Sequence, residues 1–306
     1  MYSWDDRMED WARPGAYRFD AARAAARKKD AERARRKGPR TYHRRNAPVM
    51  ELVDPKRRIT TQSPNPLIVA VDVTGSMQTW PFEIFDRLPL LYQTLSQYRP
   101  DLEISFAAIG DARCDDYPLQ VTDFARGYDL EERLKALYGE GRGGDPPESY
   151  GLFAYYVLHR VEIAPTEEKP FLIVFGDITM HSKVRVSEIQ HFIGDGVQGD
   201  VDAVTTWQEV AKTWNVWFLR RPGGRKNDDV DRQWGRAIGS QKIVHINDEL
   251  RAVDYCMGLI ARHWGKFTDF QDNMRARQDD DMVQAVANSL LSVQVEGELP
   301  PTRKET

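Results

Sequence analysis

Leu67-Ile68-Val69-Ala70-Val71-Asp72-Val73-Thr74-Gly75-Ser76-Met77 is the stretch on which the reading of the fold turns. An apolar run of five residues that ends in a turn signal has the pattern of a strand buried on both faces. At its carboxyl end the strand delivers the carboxylate of Asp72, and the hydroxyls of Thr74 and Ser76 follow two and four residues later. Three hard oxygen donors on one turn suit a divalent cation such as Mg2+ or Mn2+. The same residues also have a purely local use, because Asp and Thr side chains satisfy backbone groups in tight strand-to-helix turns.

Downstream of this stretch, strand and helix signals alternate. Further strands are expected at 102–109, 119–124, 170–175, 214–219 and 242–246, with 119–124 short enough to suit an edge. Helices are expected at 81–98, 129–138, 146–161, 187–192, 201–213, 230–238 and 248–264, with Pro89 kinking or dividing the first. Six strands separated by helices describe an α/β, doubly wound, mostly parallel six-stranded sheet of Rossmann-like type. In the strand order 3-2-1-4-5-6, strands one and four are neighbours, and ligands bind outside their carboxyl ends. Strand one ends in Asp72 and strand four in Asp177, so this order brings two carboxylates together. Like charges held close need a counter-charge, and a cation supplies it.

The flanks differ from this body. Residues 1–64 read as a basic helical or disordered arm, residues 65–265 as the α/β domain, and residues 266–306 as a C-terminal helix and tail. In the arm basic residues outnumber acidic ones about two to one, whereas the whole chain of 306 residues carries a formal net charge of −4, so the body is distinctly acidic. The arm has alanine and possible i,i+4 ion pairs but no apolar stripe to dock. Solvation accounts for such a composition, and an electrostatic contact of residues 1–60 with nucleic acid or an acidic surface is the sharper alternative. In the tail, Met282, Val283, Val286, Leu290 and Leu291 form a helical stripe expected to pack on the body or on a partner. No run of eighteen apolar residues exists, and no apolar leader segment stands at the start, so a cytoplasmic protein without a membrane span is expected. Two distant cysteines, Cys114 and Cys256, supply neither a disulfide framework nor a zinc site.

With Asp72, Thr74, Ser76 and Asp177 in place, the chain resembles a von Willebrand factor A domain carrying a metal-ion-dependent adhesion site, of bacterial or phage type. That family's Asp-x-Ser/Thr-x-Ser motif is matched by Asp72, Thr74 and Ser76, and its acid at the tip of strand four by Asp177. Its intervening Thr is replaced here by Asp145, within Gly143-Gly144-Asp145-Pro146-Pro147-Glu148. The resemblance implies a Mg2+ or Mn2+ site on Asp72, Thr74, Ser76, Asp145 and Asp177. It also implies a protein-interaction role without catalysis, in which a partner's acidic residue completes the metal shell. An AAA+ ATPase is among the partners such relatives serve. The tetrapeptide from Asp145 to Glu148 equally fits a capping box, with an N-cap acid, prolines in the first turn and Glu at the third helical position. An extra acid in the shell would weaken the metal's pull on an external carboxylate.

Asp111, Asp115 and Asp116, in the loop after strand two, read as solvated loop residues, and His181 as a lone histidine without a spaced partner. Gly139-Glu140-Gly141-Arg142-Gly143-Gly144 matches GxGxxG but follows a helix and lacks a Lys-Ser/Thr, so neither nucleotide-binding motif applies. Two other functions compete. In the first, the chain resembles a haloacid dehalogenase-type phosphotransferase with Asp72 as nucleophile beside Mg2+. Against it, Thr74 stands where that family commonly has an acid, and His181 where it has its final Asp. In the second, an RNA- or DNA-associated protein acts through the basic arm.

Overall fold

The computed structural model describes residues 47–77, 80–140, 147–221 and 228–293. Two short elements come first, helix α1 (Met50–Val53) and strand β1 (Ile59–Thr61). They are followed by β2 (Asn65–Asp72), α2 (Trp80–Phe85), α3 (Leu88–Tyr98), β3 (Leu102–Ile109), β4 (Leu119–Val121) and α4 (Asp129–Ala136). The chain continues through α5 (Tyr150–Arg160), β5 (Val161–Ile163), β6 (Phe171–Gly176), β7 (Lys183–Val184), α6 (Val186–Glu188) and β8 (Val201–Asp202). It ends with α7 (Ala203–Thr213), β9 (Asn215–Arg220), α8 (Asp228–Ile238), β10 (Ile243–His245), α9 (Ala252–His263), α10 (Phe267–Arg275) and α11 (Asp280–Leu291).

The six-stranded sheet runs β10-β9-β6-β2-β3-β4. All pairs are parallel except β3 with β4, which are antiparallel at one edge. This is the expected doubly wound order, with β2 and β6 side by side at the centre. Alternation along the central strands explains the layering, since successive side chains of a strand point to opposite faces. Leu67, Val69 and Val71 enter one core with α2, α3 and α9, whereas Ile68 and Ala70 enter the other with α5, α7 and α8. A strand buried on both faces shows no polar alternation, which is why 67–71 reads as a plain apolar run.

Of the two effects expected of Pro89, division is the one present: the first helix is split in two, and Pro89 sits in the first turn of α3, where its missing N–H costs nothing. Several other local expectations are corrected. The helix expected from 146 begins only at Tyr150, because Glu148 is held in a parallel bridge with Met180. Its N–H donates to the Thr179 carbonyl at 3.0 Å and its carbonyl accepts from the His181 N–H at 3.0 Å. Past α6 the backbone widens into a π-helical turn, Ile189–Ile193, closed by Gly194 at φ 86°. Residues 47–64, placed with the arm from the sequence, belong in part to the packed body: Val53 is fully buried, and β1 pairs in parallel with β5.

The C-terminal helices dock on α9. Phe270, Met274, Val283, Val286 and Leu290 join the first core, as the late apolar stripe anticipated, with Leu291 left exposed. Gly258 makes the close approach possible, since a Cβ there would lie 2.6 Å from the Phe270 ring and collide with Leu290. Beneath them Asp254, buried, lies 3.8 Å from both Arg251 and Arg277 and accepts from Gln278 Nε2 at 2.9 Å. No described helix is long and apolar enough to cross a membrane.

Candidate functional site

Parallel strands β2 and β6 end at the same level, so Asp72 and Asp177 project into the crevice beyond their carboxyl ends. Asp72 is fully buried. Its Oδ1 accepts from the Thr74 N–H at 2.8 Å and from Thr74 Oγ1 at 2.6 Å, and its Oδ2 accepts from the Tyr150 hydroxyl. Residues Gly75–Met77 then wind as a 3-10 turn, which swings Ser76 outward toward Asp177. Ser76 Oγ lies 3.3 Å from Thr74 Oγ1 and donates to Asp177 Oδ1 at 3.0 Å. Tyr150, Asp72, Thr74, Ser76 and Asp177 thus form one continuous polar string. Arg221 fastens its outer end, donating to the Ser76 carbonyl at 2.5 Å and to Glu249 at 2.9 Å.

Four of the five residues expected at a metal, Asp72, Thr74, Ser76 and Asp177, are brought together in this string. The fifth, Asp145, lies outside the described residues, as does the tip of the glycine loop at 141–144. The capping-box reading of the same tetrapeptide does not hold at its far end, because Glu148 precedes α5 instead of occupying its first turn.

Glu148 is the residue that sequence reasoning missed. It is 3 % exposed, and its Oε2 has no hydrogen-bond partner among the described residues. Burial, followed by the charges of Asp72, Asp111 and Asp115, pushes its carboxyl up to about 9, with the Thr74 hydroxyl opposing. Burial and then Asp177 raise Asp72 from 3.8 to about 7. Asp177 is raised by burial as well, with the Ser76 hydroxyl and then Arg221 pulling the other way. The Tyr150 phenol is held well above its ordinary value, first by burial and then by Asp72, so it remains a donor. Three carboxyls are therefore disfavoured in their charged form, and among the described residues none of them has a salt-bridge partner. A desolvated acid without a cation is costly, and a proton or a metal relieves it.

Beside the crevice lies a second polar cluster, which overturns the reading of Asp111 and Asp115 as solvated loop residues and gives the lone His181 an acidic partner. All three are buried. His181 Nε2 lies 2.9 Å from Asp111 Oδ1, which also accepts from Ser149 Oγ at 3.2 Å and from the Arg113 N–H at 3.2 Å. Burial works to raise Asp111, but the hydrogen bonds from His181 and the Arg113 backbone outweigh it and hold its pKa below the usual value. Asp115 accepts from the Asp111 N–H at 2.7 Å. Asp116 behaves as expected and is exposed. The cluster ties the loop after β3 to the loop after β6 and so fixes the walls around Glu148.

The donor chemistry fits a small hard cation. Two carboxylates and two hydroxyls are oxygen donors of the class that Mg2+ and Mn2+ prefer, and Glu148 adds a buried oxygen without a partner. Among the described residues no cage of three or more His, Cys, Asp or Glu side chains is assembled, so hydroxyls and water would have to complete any shell.

No protein-family model and no curated relative matches the sequence. Solved structures do show likenesses. Proximal thread matrix protein 1 from the mussel byssus aligns over 69 % of this chain and 49 % of its own, at 10 % identity and TM-score 0.48. The pilus adhesin SpaC from Lactobacillus rhamnosus GG aligns over 68 % of this chain and 31 % of its own, at 9 % identity and TM-score 0.46. The VWA domain of SpRpn10 aligns over 63 % of this chain and 94 % of its own, at 12 % identity and TM-score 0.40. The chain thus spans about half the length of the byssus protein and about a third of the adhesin. These likenesses are weak, and the class rests on the molecule's own strand order. A parallel centre, one antiparallel edge and helices on both faces define a doubly wound α/β domain.

Proposed function

We propose that the protein is a divalent-cation-dependent interaction module that binds a protein partner at the carboxyl ends of β2 and β6. The observation that carries this reading is the crevice itself, with Asp72, Glu148 and Asp177 desolvated and without a cationic neighbour in hydrogen-bond contact. In the proposal Thr74, Ser76 and Asp177 hold Mg2+ or Mn2+ together with Glu148, and Asp145 contributes from its loop. Asp72, held by the Tyr150 hydroxyl, orients the Thr74 hydroxyl and reaches the ion directly or through water. A cation bound there would present positive charge at the surface and recruit an acidic side chain of a partner. The solved structure of the byssus protein with a zinc-occupied MIDAS motif shows a divalent ion in such a site of that protein.

The phosphotransferase alternative is disfavoured by the state of Asp72. A nucleophilic carboxylate needs an ionised oxygen open to the phosphorus. Here both oxygens accept hydrogen bonds from within the fold, the residue is fully buried, and its pKa is raised to about 7. Isothermal titration of Mg2+ and Mn2+ into the full chain and into Ser76→Ala tests the proposal. Saturable binding lost in the variant supports it, and absent or unchanged binding overturns it. Stable beryllofluoride capture at Asp72 would favour the phosphotransferase instead.

A further inference from the structure

Residues 110–117, the loop after β3, border two features. Their inner side forms the buried Asp111 cluster, and their outer side forms one wall of an open groove of about 700 Å3. Ala112 and Arg113 line that wall, and Arg185, Glu188, Gln190, His191 and Phe192 line the other. The second wall is the N-terminus of α6 running into the π-helical turn, an irregularity that is frequently found at functional sites.

The groove carries an excess of positive charge. Arg113 Nε lies 3.3 Å from Glu188 Oε1, and Arg185 Nε lies 3.9 Å from the same oxygen. Glu188 Oε2 is committed to the Arg185 N–H at 2.9 Å. Among the described residues Glu188 is the one carboxylate paired with either arginine. One acid therefore serves two guanidinium groups, which leaves the pair with one positive charge in excess. Guanidinium forks match carboxylates in a bidentate manner. Arg185 is about half exposed and Arg113 about a third. Phe192 supplies apolar surface against which His191 packs edge-on, at 4.7 Å between ring centres.

The shape and the charge around the groove narrow the occupant. The groove is open along its length and so suits an extended segment more than an enclosed small molecule. A nucleic acid needs a basic track along many phosphates. Residues 47–306 instead carry a net charge of −11, since the whole chain is −4 and residues 1–46 contribute +7. Continuity with the crevice comes from the loop itself. The Ala112 N–H donates to Ser149 Oγ at 2.9 Å, and Ser149 Oγ donates to Asp111 beside Glu148.

We propose that this groove is a second contact for the same protein partner, taking Asp or Glu side chains of an extended acidic segment on Arg113 and Arg185. The inference rests on the reading of the crevice as the partner site and names the chemistry of the partner beyond its metal-bound residue.

The test is fluorescence anisotropy of a labelled, short, extended peptide rich in Glu and Gly, bound to the full chain in Mg2+ and in EDTA. Controls are the same peptide with Gln for every Glu, and a single-stranded oligothymidylate of equal charge. The variants are Arg113→Gln with Arg185→Gln, and the charge reversal Arg113→Glu with Arg185→Glu; their folding is checked by thermal unfolding. The Glu peptide is expected to bind better than the Gln peptide. The Gln pair should weaken it by about tenfold and the reversal by more, while calorimetric Mg2+ binding stays unchanged. Arginine-dependent binding that persists in EDTA supports the groove even if the metal reading fails. Equal binding of Glu and Gln peptides, unchanged affinity in both arginine variants, or tighter binding of the oligothymidylate overturns it.

Discussion

Two buried acidic centres in this protein are built in opposite ways. Asp254, under the C-terminal helices, is flanked by Arg251 and Arg277 and receives a hydrogen bond from Gln278. Asp72, Glu148 and Asp177, at the ends of the central strands, have hydroxyl donors and one another. The first centre is neutralised by the chain's own cations, and its purpose is to fasten α10 and α11 onto α9. The second has no ion pair among the described residues; Arg221 and Arg220 act on Asp177 alone, and Asp72 and Glu148 are left to take up charge from outside. Burial thus means one thing at Asp254 and another at Asp72 and Glu148, and the sign of the neighbours separates them. Removing one member of an internally compensated cluster strands the others, whereas removing one of several like charges relieves the rest.

The largest expected effect follows from this contrast. Asp254→Ala leaves Arg251 and Arg277 without their shared acid and should cost about 3–5 kcal/mol, measured by urea unfolding, with the same loss in Mg2+ and in EDTA. Asp72→Asn should behave differently. In EDTA at alkaline pH it should hold or raise the melting temperature, and it should remove the stabilisation that Mg2+ gives the wild type. That stabilisation is about 2.7 kcal/mol at a hundredfold excess over Kd. If Asp72→Asn and Asp254→Ala proved equally costly in EDTA, the two centres would not differ in kind.

A smaller effect comes from pH. The folded-state carboxyls of Asp72 and Glu148 are raised, from 3.8 to about 7 and from 4.5 to about 9. Stability tied to their protonated forms is complete below the ordinary values and is lost as pH rises through the raised ones. In EDTA the melting temperature should therefore decline between pH 5 and pH 9, and Mg2+ should restore more of it at pH 8 than at pH 5. Glu148→Gln should flatten the EDTA profile and lower Mg2+ affinity by about tenfold, or about 1.4 kcal/mol. A flat wild-type profile in EDTA would remove Glu148 from the account. The smallest effect on cation binding concerns the wall behind Asp72. A Cβ at Gly176 would collide with the Tyr150 hydroxyl, so Gly176→Ala should cost about 1–3 kcal/mol and shift the Mg2+ midpoint only modestly.

Much of this arrangement is legible in the residues. The apolar run before Asp72, the alternation of elements and the resulting strand order lead to Asp177 across 104 intervening positions, because the positions of strand ends follow from topology. Glu148 was hidden by an ambiguity. The stretch Asp-Pro-Pro-Glu satisfies a capping pattern, and only the bridge to Met180 shows that the helix starts two residues later. Two prolines just before it, which disfavour a regular backbone ladder, were the signal that both readings shared. Tyr150, His181 and Asp111 carry no periodic or spaced mark, since their burial depends on loops that meet only in three dimensions. The docked part of residues 47–64 was equally obscure, because the apolar stretch around Val53 is short and Ile59 stands alone beside charged residues.

Calorimetric titration of Mg2+ into the full chain at pH 8, beside Asp72→Asn and Asp254→Asn, decides whether the crevice takes a cation. Saturable binding is expected in the wild type, abolished by Asp72→Asn and retained by Asp254→Asn while it is still folded. Absence of binding in the wild type, or binding that survives Asp72→Asn unchanged, would refute a cation site at the strand ends.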